Sequence, residues 1–237
     1  MARDRSAADP GGRPDIPPRP GKRVGLMGGT FDPVHLAHLA LADTAARALG
    51  LDTVLFMPTG LNPLKREQAV TPLAHRVAML DLAVRGRADF FVSTLEGRRP
   101  PPSYSIDTVR ELRRQLAPET ELFFLVGLDA FLELPQWKAG NTLLDLVHFV
   151  VVTRPLPAAV ELVEVMGRCF PDYGLAARDG CWSSPARAGR IYALPMPAME
   201  ISASQIRARL GRGQSVAGQV PAAVGQYIAE HGLYGKL

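Results

Sequence analysis

Short apolar runs alternate along the chain with longer stretches in which apolar residues recur every three or four positions. Continuous apolar runs are typical of buried parallel strands. They predict strands at about 23–27, 53–57, 90–93, 121–126, 148–153 and 191–194. The periodic stretches predict helices at about 36–49, 73–84, 105–116, 141–146 and 158–168. Strands that alternate with helices are typical of a doubly wound parallel sheet, so the predicted fold class is α/β.

The helices are expected to start and stop at recognisable residues. On the first helix the apolar stripe ends at Leu49, and Gly50 is predicted to terminate it in a left-handed conformation. Hydroxyl side chains are predicted to cap later helices, because they accept hydrogen bonds from free N–H groups. These residues are Thr71, Ser105 and either Ser202 or Ser204.

The domain boundaries follow from composition. Residues 1–21 are rich in Pro, Gly, Arg and Asp and are predicted to be a disordered tail, because they offer no apolar face to bury. The remaining 22–237 suit a single α/β domain in a chain of 237 residues. Within it, residues 201–237 are predicted to form a C-terminal helical segment.

Charge and hydropathy exclude several classes of function. Residues 1–23, which include Lys22 and Arg23, carry +3 of the net charge of +4, so the basic balance does not indicate a nucleic-acid-binding domain. No apolar run approaches the roughly 18 residues of a membrane helix, and no apolar block follows the N-terminal arginines. We therefore expect no membrane partner and a cytoplasmic location. Cys169 and Cys181 lack the spacing of metal ligands.

The stretch between the first strand and the first helix has the chemistry of a phosphate site. Gly28 and Gly29 follow the strand, and glycines allow close approach of the backbone to a ligand. A helix that begins near residue 36 would direct free N–H groups at an anion. His35 and His38 lie three residues apart at that helix end. The alternative is a tight turn with two surface histidines.

The stretch from Gly28 to His38 closely resembles the GGxFDPxHxGH signature of the nucleotidyltransferases whose active site centres on an HxGH motif. Ala37 stands where that motif usually has glycine. Residues 201–207 resemble the IS[AS]TxIR motif of the same superfamily, with Ser204 in place of threonine. Further segments resemble the bacterial nicotinate-nucleotide adenylyltransferases: 102–105, 127–129, Trp137, 153–155 and 232–234. The resemblance covers about 23–235 and implies a Rossmann-like nucleotidyltransferase fold.

This resemblance implies an activity and a set of site residues. The enzyme would transfer the adenylyl group of ATP to nicotinate mononucleotide, giving nicotinate adenine dinucleotide (deamido-NAD) and pyrophosphate. The expected catalytic residues are His35, His38, Lys65 and Arg207. The expected ATP-binding residues are Gly28, Gly29, Thr30, Phe31, Gly127, Asp129, Ile201, Ser202 and Ser204. The expected mononucleotide-binding residues are Tyr104, Ser105, Trp137 and Arg154. Mg²⁺ is expected to accompany ATP on its phosphates, without protein ligands of its own.

Several alternatives remain open from the sequence. Leu64 replaces the histidine of the Pro-His-Lys loop in the relatives, so Lys65 would act without it. Trp137 could equally be a core residue, and Asp129 could cap its own short helix. The phosphate acceptor could be nicotinamide mononucleotide or phosphopantetheine, or the chain could be a nucleotide-binding module without catalysis. A homo-oligomer is compatible with the sequence.

Overall fold

The computed structural model describes residues 14–60, 70–153, 158–176, 180–197 and 199–235. Within these ranges eight strands form one sheet. They are β1 (Arg23–Gly29), β2 (Thr53–Pro58), β3 (Phe90–Val92), β4 (Glu121–Gly127), β5 (His148–Thr153), β6 (Gly174–Ala176), β7 (Cys181–Ser183) and β8 (Ile191–Pro195). The predicted strands are therefore found at the predicted places.

The helices lie between and after the strands. They are α1 (Leu36–Leu49), α2 (Leu73–Ala83), α3 (Ser105–Gln115), α4 (Leu128–Leu132), α5 (Gly140–Leu146), α6 (Ala158–Cys169), α7 (Ala203–Gly211) and α8 (Ala222–Glu230). Short 3₁₀ turns cover Leu95–Arg98 and Leu134–Gln136. Helices α7 and α8 follow the last strand, within the segment that the sequence predicts to be helical.

The sheet order is β3-β2-β1-β4-β5-β8-β7-β6. Strands β1 and β4 pair in parallel through Met27 and Leu125, so the direction of strand succession reverses between them. Such a switch point opens a crevice at the carboxyl ends of the two strands. The sheet is mostly parallel, as predicted, but the pairs β6–β7 and β7–β8 at one edge are antiparallel. Strands β6 and β7 have three residues each, too few for an alternation of apolar and polar residues to be recognised in the sequence.

Two apolar clusters fill the two faces of the sheet. Helices α3 to α6 pack on one face, with Ile106, Phe131 and Leu143 fully buried. Helices α1, α2, α7 and α8 pack on the other, which buries Ala42 and Val224 among others. Strands covered on both faces must be apolar throughout, which explains their continuous runs.

The helix ends confirm some sequence predictions and correct others. Gly50 has a φ of 58° and ends α1, as predicted. Ser202 caps α7 by accepting a hydrogen bond from the N–H of Gln205 at 3.2 Å. Thr71 and Ser105 do not cap, because Pro72 and Tyr104 occupy the cap positions of α2 and α3.

Part of the predicted N-terminal tail lies against the sheet domain. Among residues 14–20, Ile16 packs against the core cluster beneath α3, and Asp15 pairs with Arg98. Residues 1–13 lie outside the described part of the chain. None of the helices in the described ranges is long and apolar enough to span a bilayer.

Candidate active site

The loop between β1 and α1 lies at the switch point of the sheet. Gly28 is exposed at the end of β1, whereas Phe31 is buried at 2% exposure. Phe31 has a φ of 50°, a left-handed conformation that a non-glycine residue adopts only where its surroundings enforce it. The Phe31 ring meets the ring of His38 edge-on, with centroids 4.9 Å apart. The packing of this ring therefore helps to fix a histidine.

The two histidines form a stacked pair. Their ring centroids are 3.6 Å apart and their planes differ by 19°. The backbone N–H of His35 donates to Nδ1 of His38 at 3.2 Å. Because Nδ1 is an acceptor, the proton of a neutral His38 ring lies on Nε2. His38 is thus prepared to donate one hydrogen bond from Nε2.

Burial keeps both imidazoles neutral at neutral pH. It lowers the pKa of His35 from 6.5 to about 4. The pKa of His38 is also well below its usual value, first because of burial and then because a charge on His35 would repel a second one. The pair therefore offers hydrogen-bond donors rather than fixed positive charges.

The glycines of the loop differ in the space around them. A Cβ added to Gly28 would have no heavy atom within 4 Å. A Cβ added to Gly29 would lie 3.0 Å from the Phe31 ring, so the protein itself disfavours a side chain there. The open space at Gly28 is what a closely approaching ligand needs.

Asp32 connects the loop with the C-terminal part of the chain. Its carboxyl group, in a residue only 3% exposed, accepts hydrogen bonds from the hydroxyl of Tyr234 at 2.6 Å and from the N–H of Thr71 at 3.2 Å. Its backbone carbonyl accepts a hydrogen bond from Nη1 of Arg207 at 2.7 Å. The guanidinium of Arg207 also contacts Oγ of Ser204 at 3.4 Å. The histidine loop and the segment 201–207 therefore meet, although far apart in sequence.

Strand β4 brings two more of the predicted residues to the same edge of the sheet. Gly127 ends β4 next to β1 and occupies the cap position of α4. Asp129 lies exposed in the first turn of that helix without a side-chain cap bond. The alternative that Asp129 caps α4 is therefore wrong.

Three of the predicted mononucleotide residues, Tyr104, Ser105 and Trp137, follow β3 and β4 on the face of the sheet opposite α1. Trp137 is partly buried against the core, with its ring 6.1 Å from Phe124. Nζ of Lys138 lies 4.4 Å from the centroid of the Tyr104 ring, so the turn that carries Trp137 meets the start of α3. Ser105 is the first residue of that helix.

Two predicted site residues lie outside the described part of the chain, namely Lys65 and Arg154. Leu64 lies outside it as well. The other predicted residues lie at the carboxyl edge of the sheet: the glycine loop and Arg207 on one face, Tyr104 and Trp137 on the other. Ile201 is half-buried at the start of the α7 segment, and Thr30 lies in the loop itself.

Known proteins are similar in sequence to this chain over most of its length. The cytidylyltransferase-like family matches residues 26–209. A protein of Thermomicrobium roseum named "Probable nicotinate-nucleotide adenylyltransferase" is 39% identical over 212 residues, covering 90% of this chain and 91% of that protein. One of the same name from Clavibacter michiganensis is 40% identical over 218 residues, covering 92% and 96%. The chain belongs to the nicotinate-nucleotide adenylyltransferase family.

A solved structure supports the fold of the family independently. The Plasmodium falciparum nicotinic acid mononucleotide adenylyltransferase, complexed with NaAD, superposes with a TM-score of 0.69. It is 17% identical, and the match covers 90% of this chain and 98% of that one. This likeness confirms the predicted Rossmann-like nucleotidyltransferase fold.

Two residues that bind the glycine loop were not predicted from the sequence. Arg76, on α2, is 3% exposed and donates to three backbone carbonyls. Its signal in the sequence is a charge on the apolar stripe, three residues after Leu73 and four before Leu80. Tyr234 lies in a segment that resembles the family, but its contact with Asp32 depends on folding and is invisible in a pattern.

The donor chemistry near the loop suits a metal ion carried by a nucleotide. Within the described ranges, no group of three His, Cys, Asp or Glu side chains is arranged to hold a metal. The carboxyl group of Asp32 is already engaged by Tyr234 and Thr71. Mg²⁺ typically binds through substrate phosphates and a few carboxylates and keeps several waters. That Mg²⁺ is held mainly by ATP phosphates stays a prediction from the sequence.

Proposed function

We propose that this protein transfers the adenylyl group of ATP to nicotinate mononucleotide, giving nicotinate adenine dinucleotide and pyrophosphate. The observation that carries the proposal is that one loop at the switch point holds the stacked His35–His38 pair and binds Arg207 through the carbonyl of Asp32. Neutral donors and a guanidinium on the loop where α/β sheets bind nucleotides support a reaction at phosphate. The names of the relatives support the choice of reaction.

In the reaction, an oxygen of the 5′-phosphate of the mononucleotide attacks the α-phosphorus of ATP. The bond from that phosphorus to the bridging oxygen of the β-phosphate breaks, and pyrophosphate leaves with its electron pair. The attacking oxygen is already an anion, so no general base has to remove a proton. Catalysis then depends on positioning and on stabilising charge that develops in the transition state.

Each residue of the loop has a role in this scheme. His38 donates from Nε2 to an oxygen of the α-phosphate, and His35 holds the His38 ring in place through its backbone N–H. Gly28 gives the nucleotide room to approach. Gly29, Thr30 and Phe31 shape the turn around it, while Gly127 and Asp129 border the nucleoside of ATP.

The leaving pyrophosphate would be held by the segment that follows β8. The guanidinium of Arg207 has five donors in a planar fork, which suits phosphate oxygens. Ser202 and Ser204 add hydroxyls at the start of α7, next to Ile201, and free N–H groups of that helix end favour an anion. Lys65 is proposed to assist from outside the described ranges. Mg²⁺ on the phosphates neutralises charge when bound.

The mononucleotide is proposed to bind on the other side of the same edge. The Trp137 ring would stack on the pyridine, as planar aromatic rings do. Ser105 and backbone N–H groups next to Tyr104 would receive the carboxylate of the nicotinate ring. Arg154 is proposed as a further contact. A cytoplasmic location remains a prediction from the sequence, and a homo-oligomer is compatible with the sequence.

A comparison of acceptors tests the proposal. Pyrophosphate release from ATP is measured with nicotinate mononucleotide, with nicotinamide mononucleotide, with phosphopantetheine and with no acceptor. We expect the highest kcat/KM with nicotinate mononucleotide and no release without an acceptor. A preference for another acceptor would contradict the substrate assignment, and no release with any acceptor would indicate a binding module.

A further inference from the structure

We propose that Arg76 is a positioning residue of the adenylyl-transfer site, which fixes the peptide between Thr30 and Phe31 and thereby the place of His38. The inference rests on the proposed function, because it assigns Arg76 to the same reaction. Arg76 belongs to α2, and the loop belongs to the connection between β1 and α1. The residue therefore acts from a neighbouring helix.

The guanidinium of Arg76 holds three separate pieces of backbone. Nη1 donates to the carbonyl of Thr30 at 2.8 Å and to that of Thr59 at 2.9 Å, and Nε donates to the carbonyl of Thr71 at 2.8 Å. Each carbonyl belongs to a different part of the chain: the glycine loop, the residue after β2 and the residues before α2. One side chain thus ties together three loop ends at the carboxyl edge of the sheet.

The contact with Thr30 determines the orientation of the next N–H. A peptide unit is planar and trans, so its carbonyl and its N–H point in opposite directions. With the carbonyl of Thr30 directed at Arg76, the N–H of Phe31 must point away from Arg76. Phe31 itself has a φ of 50°, a strained conformation that persists only where neighbouring contacts enforce it.

Phe31 transmits this constraint to the histidine pair. Its buried ring lies edge-on to His38 at 4.9 Å between centroids, and His38 stacks on His35. If the Thr30 carbonyl turned away, the Phe31 backbone would change and its ring would move relative to His38. A small displacement of a positioned donor lowers the rate of a reaction that depends on geometry.

The other two carbonyls anchor the glycine loop to two neighbouring chain ends. Arg76 binds Thr59 after β2 and Thr71 before α2 together with Thr30 of the glycine loop. It therefore sets the distance of these two chain ends from the loop that carries the histidines.

A lysine substitution with a matched control tests the proposal. Arg76→Lys keeps the charge but has a single nitrogen, which cannot reproduce the fork on three carbonyls. Arg113→Lys is the control, because Arg113 also holds carbonyls, namely those of Thr120 and Leu146. These two residues precede β4 and β5 and so lie at the opposite edge of the sheet. Both substitutions remove a guanidinium that ties loops together.

Three quantities are measured for both variants: the unfolding temperature, the kcat of pyrophosphate release per folded molecule, and hydrogen exchange of the amides at 28–35. We expect both variants to lose stability. Only Arg76→Lys should lower kcat, by roughly tenfold to a hundredfold, and only Arg76→Lys should speed exchange in the glycine loop. Arg113→Lys should keep the kcat of the wild type.

The proposal is overturned if Arg76→Lys is destabilised but keeps both the wild-type kcat and the wild-type exchange at 28–35. A wild-type protein that releases no pyrophosphate would instead remove the proposed function. In that case the exchange measurement alone decides: faster exchange in Arg76→Lys but not in Arg113→Lys supports positioning, and equal exchange refutes it.

Discussion

The two histidines of the glycine loop act as a pair, because each restricts the charge of the other ring and His35 also fixes the tautomer of His38. Their stacking at 3.6 Å disfavours a charge on both rings, and burial disfavours a charge on either. The bond from the His35 backbone selects the His38 tautomer with its proton on Nε2. A neutral donor with a fixed direction is the kind of group that stabilises charge developing on a phosphate.

The depressed pKa of His35 predicts a dependence of stability on pH. The pKa of His35 is about 4 in the folded protein, whereas the ordinary pKa of histidine, 6.5, applies to the unfolded chain. Between these values the unfolded chain binds more protons, so the free energy of unfolding decreases as the pH falls through this window. The shift corresponds to on the order of 3 kcal/mol. Urea unfolding at several pH values measures it.

The matched variant for this measurement is His35→Gln, which removes the titrating ring. We expect its unfolding free energy to change less across the window from 6.5 to about 4 than that of the wild type. Equal slopes in the two proteins would show that His35 does not titrate with a depressed pKa.

A substitution at Gly28 separates an effect on ATP binding from an effect on the stability of the fold. An added Cβ meets nothing within 4 Å, so Gly28→Ala should fold with nearly unchanged stability. If ATP approaches the backbone there, the KM for ATP should rise. Gly29→Ala should instead lose stability, because its Cβ would press on the Phe31 ring at 3.0 Å. Thermal unfolding and steady-state kinetics distinguish the two, and an unchanged KM in Gly28→Ala would argue against close approach.

At the scale of single residues, the sequence predicts those that belong to a contiguous motif and misses those that act from elsewhere. His35 and His38 stand within one strand–turn–helix stretch, so their proximity follows from local geometry. Arg76 is separated from Thr30 by 46 positions, and its role depends on how α2 packs. A charged residue on an apolar stripe is the one feature that could have indicated it.

At the scale of elements, the C-terminal segment completes the loop between β1 and α1. Tyr234 and Arg207 reach Asp32 across 202 and 175 positions of sequence. Burial and the nearby Asp32 carboxyl raise the pKa of Tyr234, so its hydroxyl stays a donor at neutral pH. The helices α7 and α8 therefore place functional groups as well as cover the sheet.

A single hydroxyl tests this connection. Tyr234→Phe removes the donor to Asp32 and leaves the ring, so we expect a loss of about 2 kcal/mol in unfolding free energy, typical of a hydrogen bond to a charged group. We also expect a lower kcat, because the loop loses one of its anchors. The control is Tyr227→Phe, which removes a hydroxyl that contacts His75 at 2.9 Å on the outer side of α8 and α2.

If Tyr234→Phe lowers kcat no more than Tyr227→Phe does, the C-terminal segment does not position the loop. Chemical denaturation gives the stability of each variant, and pyrophosphate release gives its kcat. The two readouts together separate a loss of folded protein from a loss of alignment.

Helix ends were predicted correctly where the chemistry of one residue determines them and wrongly where the adjacent residues do. Gly50 and Ser202 end or begin helices through their own chemistry. Thr71 and Ser105 have suitable chemistry but lie at other positions of their helices, since Pro72 and Tyr104 precede the first turns. The antiparallel strands β6 and β7 were not predicted, because three residues are too few to show an alternation of apolar and polar positions.

At the scale of the whole molecule, the sheet divides the proposed substrates between its two faces. The glycine loop and Arg207 lie with the cluster of α1, α2, α7 and α8, whereas Tyr104 and Trp137 pack against the cluster of α3 to α6. The carboxyl ends of β1 and β4 lie between them. A phosphate that passes over this edge can join a nucleotide on one face to a mononucleotide on the other.

The order of the strands decides which loops meet at the crevice. The pairing of β1 with β4 places Gly127 at the same edge as the glycine loop, and α7 brings Arg207 to Asp32 from 175 positions away. Contacts of this kind follow from the topology of the sheet, which a single sequence suggests but does not specify.

The most direct test is the rate of pyrophosphate release from ATP and nicotinate mononucleotide by the wild type and by His38→Asn. The account predicts release that requires the mononucleotide, and a loss of roughly 10²–10³ in kcat when the Nε2 donor is removed. A His38→Asn protein that folds and turns over as fast as the wild type would contradict it.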